Sequence, residues 1–244
     1  MNVALESKIH IPDDLSHGLI LSFNDLRGNG ELTSDLIDEV IDIMNFKWKG
    51  FLLNKHWPAH AYLTWVQNFH KGYIAAQEWY KISRKPTNIS ILDLGCLDGA
   101  YSAGICSALS GKVKSINIHG VDQNKRIIDF YNQIFVSWAD FSSNIKATSE
   151  NGSIDGYFVS NLKLWDIVVI NLMSNANKTL AKNALTNSNK IIIDIPENGM
   201  HDIWINDHPY EVRYDKSASL ELRFMQSLNF DQKPNDKQPL LVRR

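Results

Sequence analysis

The residue types best suited to chemistry are three aspartates around a glycine-containing turn. Asp93 and Asp98 fall within ILDLGCLDGAYS, Ile91 to Ser102, and Asp122 closes the run His119-Gly-Val-Asp. An apolar run that ends in aspartate, then Gly95, Cys96, Leu97, Asp98 and Gly99, then small residues, reads as a strand entering a tight turn and a helix. In a doubly wound sheet, ligands bind beyond the carboxyl ends of the strands, near the point where strand order reverses. An acidic residue closing the next strand is placed to accept hydrogen bonds from ribose hydroxyls. Asp122 lies 27 residues after Gly95, longer than the roughly 20 usual for a dinucleotide site but within the reach of a longer helix.

A dinucleotide is the first ligand to weigh, and the residues oppose it. Its fingerprint needs a second glycine so that the backbone can approach pyrophosphate, and that position holds Leu97. Asp93 and Asp98 would also face a doubly negative group, at a cost of about 1 kcal/mol or more per close pair. A ligand with no phosphate and a positive end removes both objections. S-adenosylmethionine has that chemistry: a ribose, an adenine, an ammonium and a sulfonium.

On these residues the chain resembles a family. LDLGCLDGAYS resembles the first motif of class I S-adenosylmethionine-dependent methyltransferases, and GVDQN resembles their second. DIVVINL, KIIIDI and the closing PLLVRR continue the order of that family, and the resemblance covers about residues 86 to 244. One departure stands out: the family's commonest turn is glycine-cysteine-glycine-x-glycine, and its middle glycine is Leu97 here. The resemblance implies that Asp93 holds the ammonium of the methionine part. It implies that Gly95 and Gly99 let the backbone pass close to the cofactor, with Cys96 and Leu97 completing the turn. It further implies that Asp122 binds the ribose hydroxyls and that Gln123 lies beside the adenine. Glu150 or Asn151 would contact the adenine amino group. Asn171 and Leu172 would lie where the methyl is transferred. The amino-methylating members often carry an Asn/Asp-Pro-Pro-aromatic motif where this chain reads Asn171-Leu-Met-Ser-Asn175.

The elements that must position these residues are read from periodicity. Residues 1 to about 30 lack a clear repeat, and Arg27-Gly-Asn-Gly-Glu31 reads as a loop. Thr33 or Ser34 caps a helix through LIDEVIDIM, and AYLTWVQNFHKGYIAAQEWYKI is helical with Gly72 as a weak point. After a soft boundary near residue 85, strands are expected at Ile89–Leu94, Ser115–Val121, Asn144–Thr148, Asp166–Leu172, Lys190–Ile195 and Pro239–Arg243. Helices are expected at Tyr101–Leu109, Asn124–Phe141, Asn177–Leu185 and Ser217–Leu228. Alternating elements with nearly continuous apolar strands predict an α/β fold, a doubly wound and mostly parallel sheet. The family likeness implies seven strands. Residues 1–85 are expected to form a helical cap and 86–244 the cofactor-binding domain.

Composition narrows the partners. Of 244 residues, 25 are Lys or Arg and 27 Asp or Glu, for a net charge of -2, which gives no global pull toward nucleic acid or an anionic membrane. The first residues, MNVALESKIHIPDD, hold no apolar signal segment, and cytoplasm is the default expectation. The two cysteines, Cys96 and Cys106, form neither a disulfide framework nor a zinc pattern.

Three histidines are candidate acid–base groups. His56 and His60 sit four apart in HWPAH, a spacing that suits metal on one helical face, although Pro58 between them opposes a helix outside its first turn. That aromatic segment either caps the site or packs on the core. His201 and Asp202 follow KIIIDIPENG in an expected loop beside the site, where a histidine can serve as base. The main expectation is methyl transfer to a small-molecule acceptor. The alternatives are an RNA or DNA methyltransferase, with Lys47, Lys49, Lys55 and Lys71 forming a patch, and a non-catalytic scaffold on the same fold. No metal is expected.

Overall fold

The computed structural model describes residues 11–45, 54–82, 85–153, 165–170, 191–194, 200–205, 208–214 and 241–242. Three helices come first: α1 (Asp13–Gly28), α2 (Ser34–Asn45) and α3 (Trp57–Ile82). Then β1 (Asn88–Leu94), α4 (Ala100–Leu109), β2 (Ser115–Asp122), α5 (Lys125–Tyr131) and β3 (Ile145–Asn151) alternate. A π turn (Asn132–Val136) and a short turn α6 (Ser137–Asp140) extend α5. Five short strands complete the sheet: β4 (Ile167–Ile170), β5 (Ile191–Asp194), β6 (Met200–Ile205), β7 (His208–Tyr214) and β8 (Leu241–Val242).

The strand order is β3-β2-β1-β4-β5-β6-β7-β8. The first five are parallel, and β6, β7 and β8 add on antiparallel. The α/β architecture with a parallel sheet is therefore as expected. The strand count differs from the seven of the family pattern: there are eight among the described residues. Beyond the six strands expected by range, the two added are β6 and β7, a hairpin after β5 whose alternating polar residues lack an apolar run. The order reverses between β1 and β4, so the turn after β1 lies at the switch point.

Three further expectations are revised, and the choice of cap for α2 is settled. Residues 13–28 form α1, because Leu15, Leu19, Phe23 and Leu26 recur at helical spacing and are buried; Arg27 and Gly28 end that helix rather than open a loop. The helix expected over Asn124–Phe141 is interrupted by the π turn, and Asn124 is its cap, accepting from the Arg126 amide at 3.0 Å. Thr33 caps α2, its hydroxyl accepting from the Leu36 amide at 3.2 Å. Gly72 is a packing requirement rather than a weak point. A Cβ there would lie 2.1 Å from the Tyr101 carbonyl oxygen, and one on Gly104 would lie 2.0 Å from that of Phe69. α3 and α4 thus touch backbone to backbone. The helices expected at Asn177–Leu185 and Ser217–Leu228 lie outside the described residues.

One continuous apolar cluster joins Leu15 and Phe23 of α1 with Trp65 and Phe69 of α3. It continues through Cys106 of α4 to Ile91, Ile118, Ala147 and Val169 on the sheet. These strand residues alternate with Leu92, Val121 and Val168, which are buried but outside that cluster. One sheet face is therefore the floor under the helices. The edges of Phe23, Tyr62, Trp57 and Phe130 tie α1 and α3 to α5, with ring centres 5.2 to 5.5 Å apart. Glu31, in the turn between α1 and α2, pairs with Arg126 on α5. Among the described residues no helix is long and apolar enough to cross a membrane.

Candidate functional site

The turn after β1 is held from below by β2. The amides of Gly95 and Cys96 donate to the Val121 carbonyl at 2.8 and 3.2 Å, and the Gly99 amide donates to that of Cys96 at 3.0 Å. Three residues in the turn are left-handed: Gly95 at φ 71°, Leu97 at φ 46° and Gly99 at φ 77°. Gly95 and Gly99 take that region freely. Leu97 pays roughly 1–3 kcal/mol of backbone strain to do so.

Register places the key residues in rows across the sheet. Leu94 pairs with Val121 and Ile170, Val121 with Glu150, Ile170 with Asp194, and Asp194 with Asp202. One level further toward the carboxyl ends lie Asn151, Asp122, Gly95 and His201. His201 is thus on strand β6, opposite Val212, and not in a loop. It stands at the level of the turn but three strands from β1, about 14 Å at ~4.8 Å per strand.

Asp93, Asp98 and Asp122 converge under the turn, with 1%, 5% and 6% of their surface exposed. The Ser102 hydroxyl, one turn into α4, donates to Asp93. Asp98 accepts from the amide of Ala100, the first residue of α4, at 3.0 Å. Asp122 accepts from the Asn124 amide at 2.8 Å, and the Leu97 amide also favours its ionised form. Burial pushes Asp93 up to about 7, opposed by Ser102 and reinforced by Asp122 and Asp98. Burial also pushes Asp98 up to about 7 and raises Asp122, each opposed by its amide bonds. Among the described residues no cation is among the groups that shift Asp93 or Asp98. A buried carboxylate cluster of this kind is stabilised by a positive ligand.

Asn151 reaches the cluster, donating through Nδ2 to the Asp122 carbonyl at 3.0 Å. Glu150 belongs to the opposite face and turns to His119, with Oε2 and Nε2 3.8 Å apart. Gln123 is exposed beside Asp122. Cys96 is buried, and burial with the neighbouring carboxylates raises its thiol well above the ordinary value, which suits packing rather than nucleophilic attack. Asn171 and Leu172 lie outside the described residues.

No protein-family model and no curated protein sequence matches the chain. Solved structures similar to it include the plantazolicin methyltransferase BpumL in complex with SAH. That chain is 18% identical, over 80% of this chain and 72% of its own, with a TM-score of 0.43. The same enzyme with a monoazolic desmethylPZN analogue and SAH matches at 20% identity, over 79% and 72%, with a TM-score of 0.42. The precorrin-6y C5,15-methyltransferase of Geobacter metallireducens matches at 11% identity, over 50% of this chain and 60% of its own, with a TM-score of 0.34.

The remaining candidates are placed as follows. Pro58 sits in the first turn of α3, where its missing amide hydrogen costs nothing. His60 therefore lies on α3, while His56 precedes it in a 3₁₀ turn. His56 is buried against Glu39 of α2, Nε2 to Oε1 3.0 Å, and the same carboxylate takes Lys55 at 2.9 Å. Two residues that sequence reasoning missed are Ser102 and Tyr131. Ser102 was visible as a serine in the first turn of AYSAGICSAL, directly after the glycine turn. Tyr131 carried no local signal, because what gives it meaning is the glycines it covers on other elements.

Proposed function

We propose that the chain is an S-adenosylmethionine-dependent methyltransferase acting on a small-molecule acceptor, with residues 1–85 as a helical cap on a cofactor domain of 86–244. The observation that carries this reading is the buried carboxylate cluster beneath a left-handed turn at the switch point of the sheet. Its charge suits an ammonium and a sulfonium and repels a pyrophosphate.

In this reading Asp93 holds the ammonium. Gly95, Cys96, Leu97 and Gly99 form the cradle, and Asp122 accepts from the ribose hydroxyls. Two amides already occupy part of that carboxylate, but an ionised carboxyl has about four lone-pair sites. Gln123 and Asn151 border the adenine, and the face taken by Glu150 makes it the weaker of the two alternatives for the amino group. Asn171 and Leu172 follow Ile170 in sequence, and Ile170 pairs with Leu94; in this reading they lie where the methyl is transferred.

When bound, the cofactor supplies a methyl group on a sulfonium, an electrophile that needs no further activation. The chain's contribution is then to hold the acceptor in line at near-attack distance and to exclude water. A base is needed only for an acceptor that must lose a proton. His201 and His60 are the candidates for that task, since His56 is engaged with Glu39.

Two observations bear on the alternatives. Of the four lysines that would form a nucleic-acid patch, Lys55 is paired with Glu39, which weakens the RNA reading. Leu97 keeps the left-handed path, which weakens the reading of a degenerate scaffold. Calorimetric titration with S-adenosylmethionine and S-adenosylhomocysteine tests the proposal. Micromolar binding that Asp122→Ala weakens tenfold or more, about 1.4 kcal/mol, supports it. Absence of binding by folded wild type sinks it.

A further inference from the structure

Asp93 and Gly120 are neighbours in register on β1 and β2, on the face that carries the helices. Tyr131 fills the space that Gly120 leaves. A Cβ on Gly120 would lie 2.7 Å from its Cζ, 2.8 Å from its hydroxyl and 3.0 Å from the Cys96 sulfur. The same ring lies under the turn, 2.9 Å from the Cβ position of Gly99. Tyr131 is fully buried, and its hydroxyl lies beside Ser102 without completing a hydrogen bond of good geometry. Ser102 in turn donates to Asp93. A buried hydroxyl costs free energy unless a partner takes its proton, and the Ser102 oxygen has a lone pair to offer once its own hydrogen is committed to Asp93.

We propose that Tyr131 is a positioning residue for the cofactor site: from beneath the glycine turn it completes a hydroxyl chain, Tyr131 to Ser102 to Asp93, that holds the Asp93 carboxylate ionised and aimed at the cationic end of the cofactor. This role rests on the cofactor reading above and deepens it. Chains of this kind strengthen cooperatively in a low-dielectric interior. The chain matters because, among the described residues, the other groups facing Asp93 are acidic or neutral: Asp98 and Cys96 in the turn, Asp122 at the end of β2, and Cys106 on α4. Ser102 is the group that opposes the upward shift of Asp93.

Tyr131→Phe removes one oxygen and keeps the ring that supports Gly99 and Gly120. The test follows the Asp93 carboxyl by carbon-13 NMR in aspartate-labelled protein, with S-adenosylhomocysteine titrated calorimetrically from pH 6 to pH 8. Wild type, Tyr131→Phe and Ser102→Ala are compared. In both variants the Asp93 midpoint should move up. Affinity at pH 7 should fall about threefold to tenfold, and the deficit should shrink toward pH 8, where the carboxyl ionises unaided. An unmoved Asp93 midpoint in folded Tyr131→Phe overturns the positioning role even if wild type binds well. Wild type that binds no S-adenosylhomocysteine at any of these pH values overturns the cofactor reading itself, and the role with it.

Discussion

The backbone amide of Leu97 faces the carboxylate of Asp122 and favours its ionised form. A residue in the left-handed region at φ 46° thereby sets the turn of one strand against the acid that ends the next. The strain at Leu97 and the geometry of Asp122 are linked. Leu97→Gly should keep the amide and relieve the strain, raising stability by about 1 kcal/mol after the glycine's entropy cost. Leu97→Pro removes the amide hydrogen and forbids the angle, so it should lower both stability and cofactor affinity. Urea unfolding of the two variants checks this. A Leu97→Gly protein less stable than wild type would mean that the leucine side chain contributes more than its backbone costs.

The α3–α4 contact sets a second expectation. Gly72→Ala and Gly104→Ala would each press a methyl group to within 2.1 and 2.0 Å of a backbone oxygen. Overpacking of this kind costs about 1–3 kcal/mol or more. Gly18, inside α1, has nothing within 4 Å, so Gly18→Ala should stabilise by about 0.8–1 kcal/mol. Thermal melts of the three variants should separate clearly by sign.

The carboxylate cluster makes stability depend on pH. Asp93 and Asp98 are raised to about 7 in the fold by burial, against about 3.9 for a free aspartate. Between those values the folded chain binds more protons than the unfolded one, so the contribution of these groups to stability falls as pH rises. The protein without ligand should lose stability from about pH 4 to about pH 7 on their account. Asp98→Asn keeps an oxygen for the Ala100 amide and cannot ionise. It should be more stable than wild type at pH 8, with a flatter profile. Urea midpoints at pH 5 to 8 measure the slope. A steeper profile in Asp98→Asn would contradict the assignment.

Both cysteines should be silent toward thiol reagents. Cys96 and Cys106 are buried and free, and burial raises each thiol above its ordinary value, so little thiolate forms near neutrality. Iodoacetamide at pH 7.5 should label neither in the folded protein and both in denaturant, as read by mass spectrometry. Rapid native labelling of Cys96 would reopen a nucleophilic role for it.

The parallel half of the fold was legible because its central strands carry apolar residues at the positions they bury; Ile89 to Leu94 and Ser115 to Val121 fall within one residue of β1 and β2. The turn was legible for the same reason, with Asp93 and Asp122 closing those runs. The hairpin β6–β7 was not, since His201, Asp202, His208 and Glu211 interrupt any apolar pattern. Residues 13–28 were missed because polar residues dilute the spacing of Leu15, Leu19 and Phe23. The face of Glu150 was undecidable without register, for a shift of one residue exchanges it with Asn151.

The backbone contact at Gly72 and Gly104 leaves no side chain between two helices to change rotamer. Packed interiors of this kind resist continuous deformation. One of these helices begins at the glycine turn and the other carries His60, so any swing of the N-terminal helices would drag the turn with it. That makes the segment a fixed wall of the site rather than a lid. Amide exchange along 57–72 and 100–109 should slow together, as one cooperative block, and should do so whether or not ligand is present.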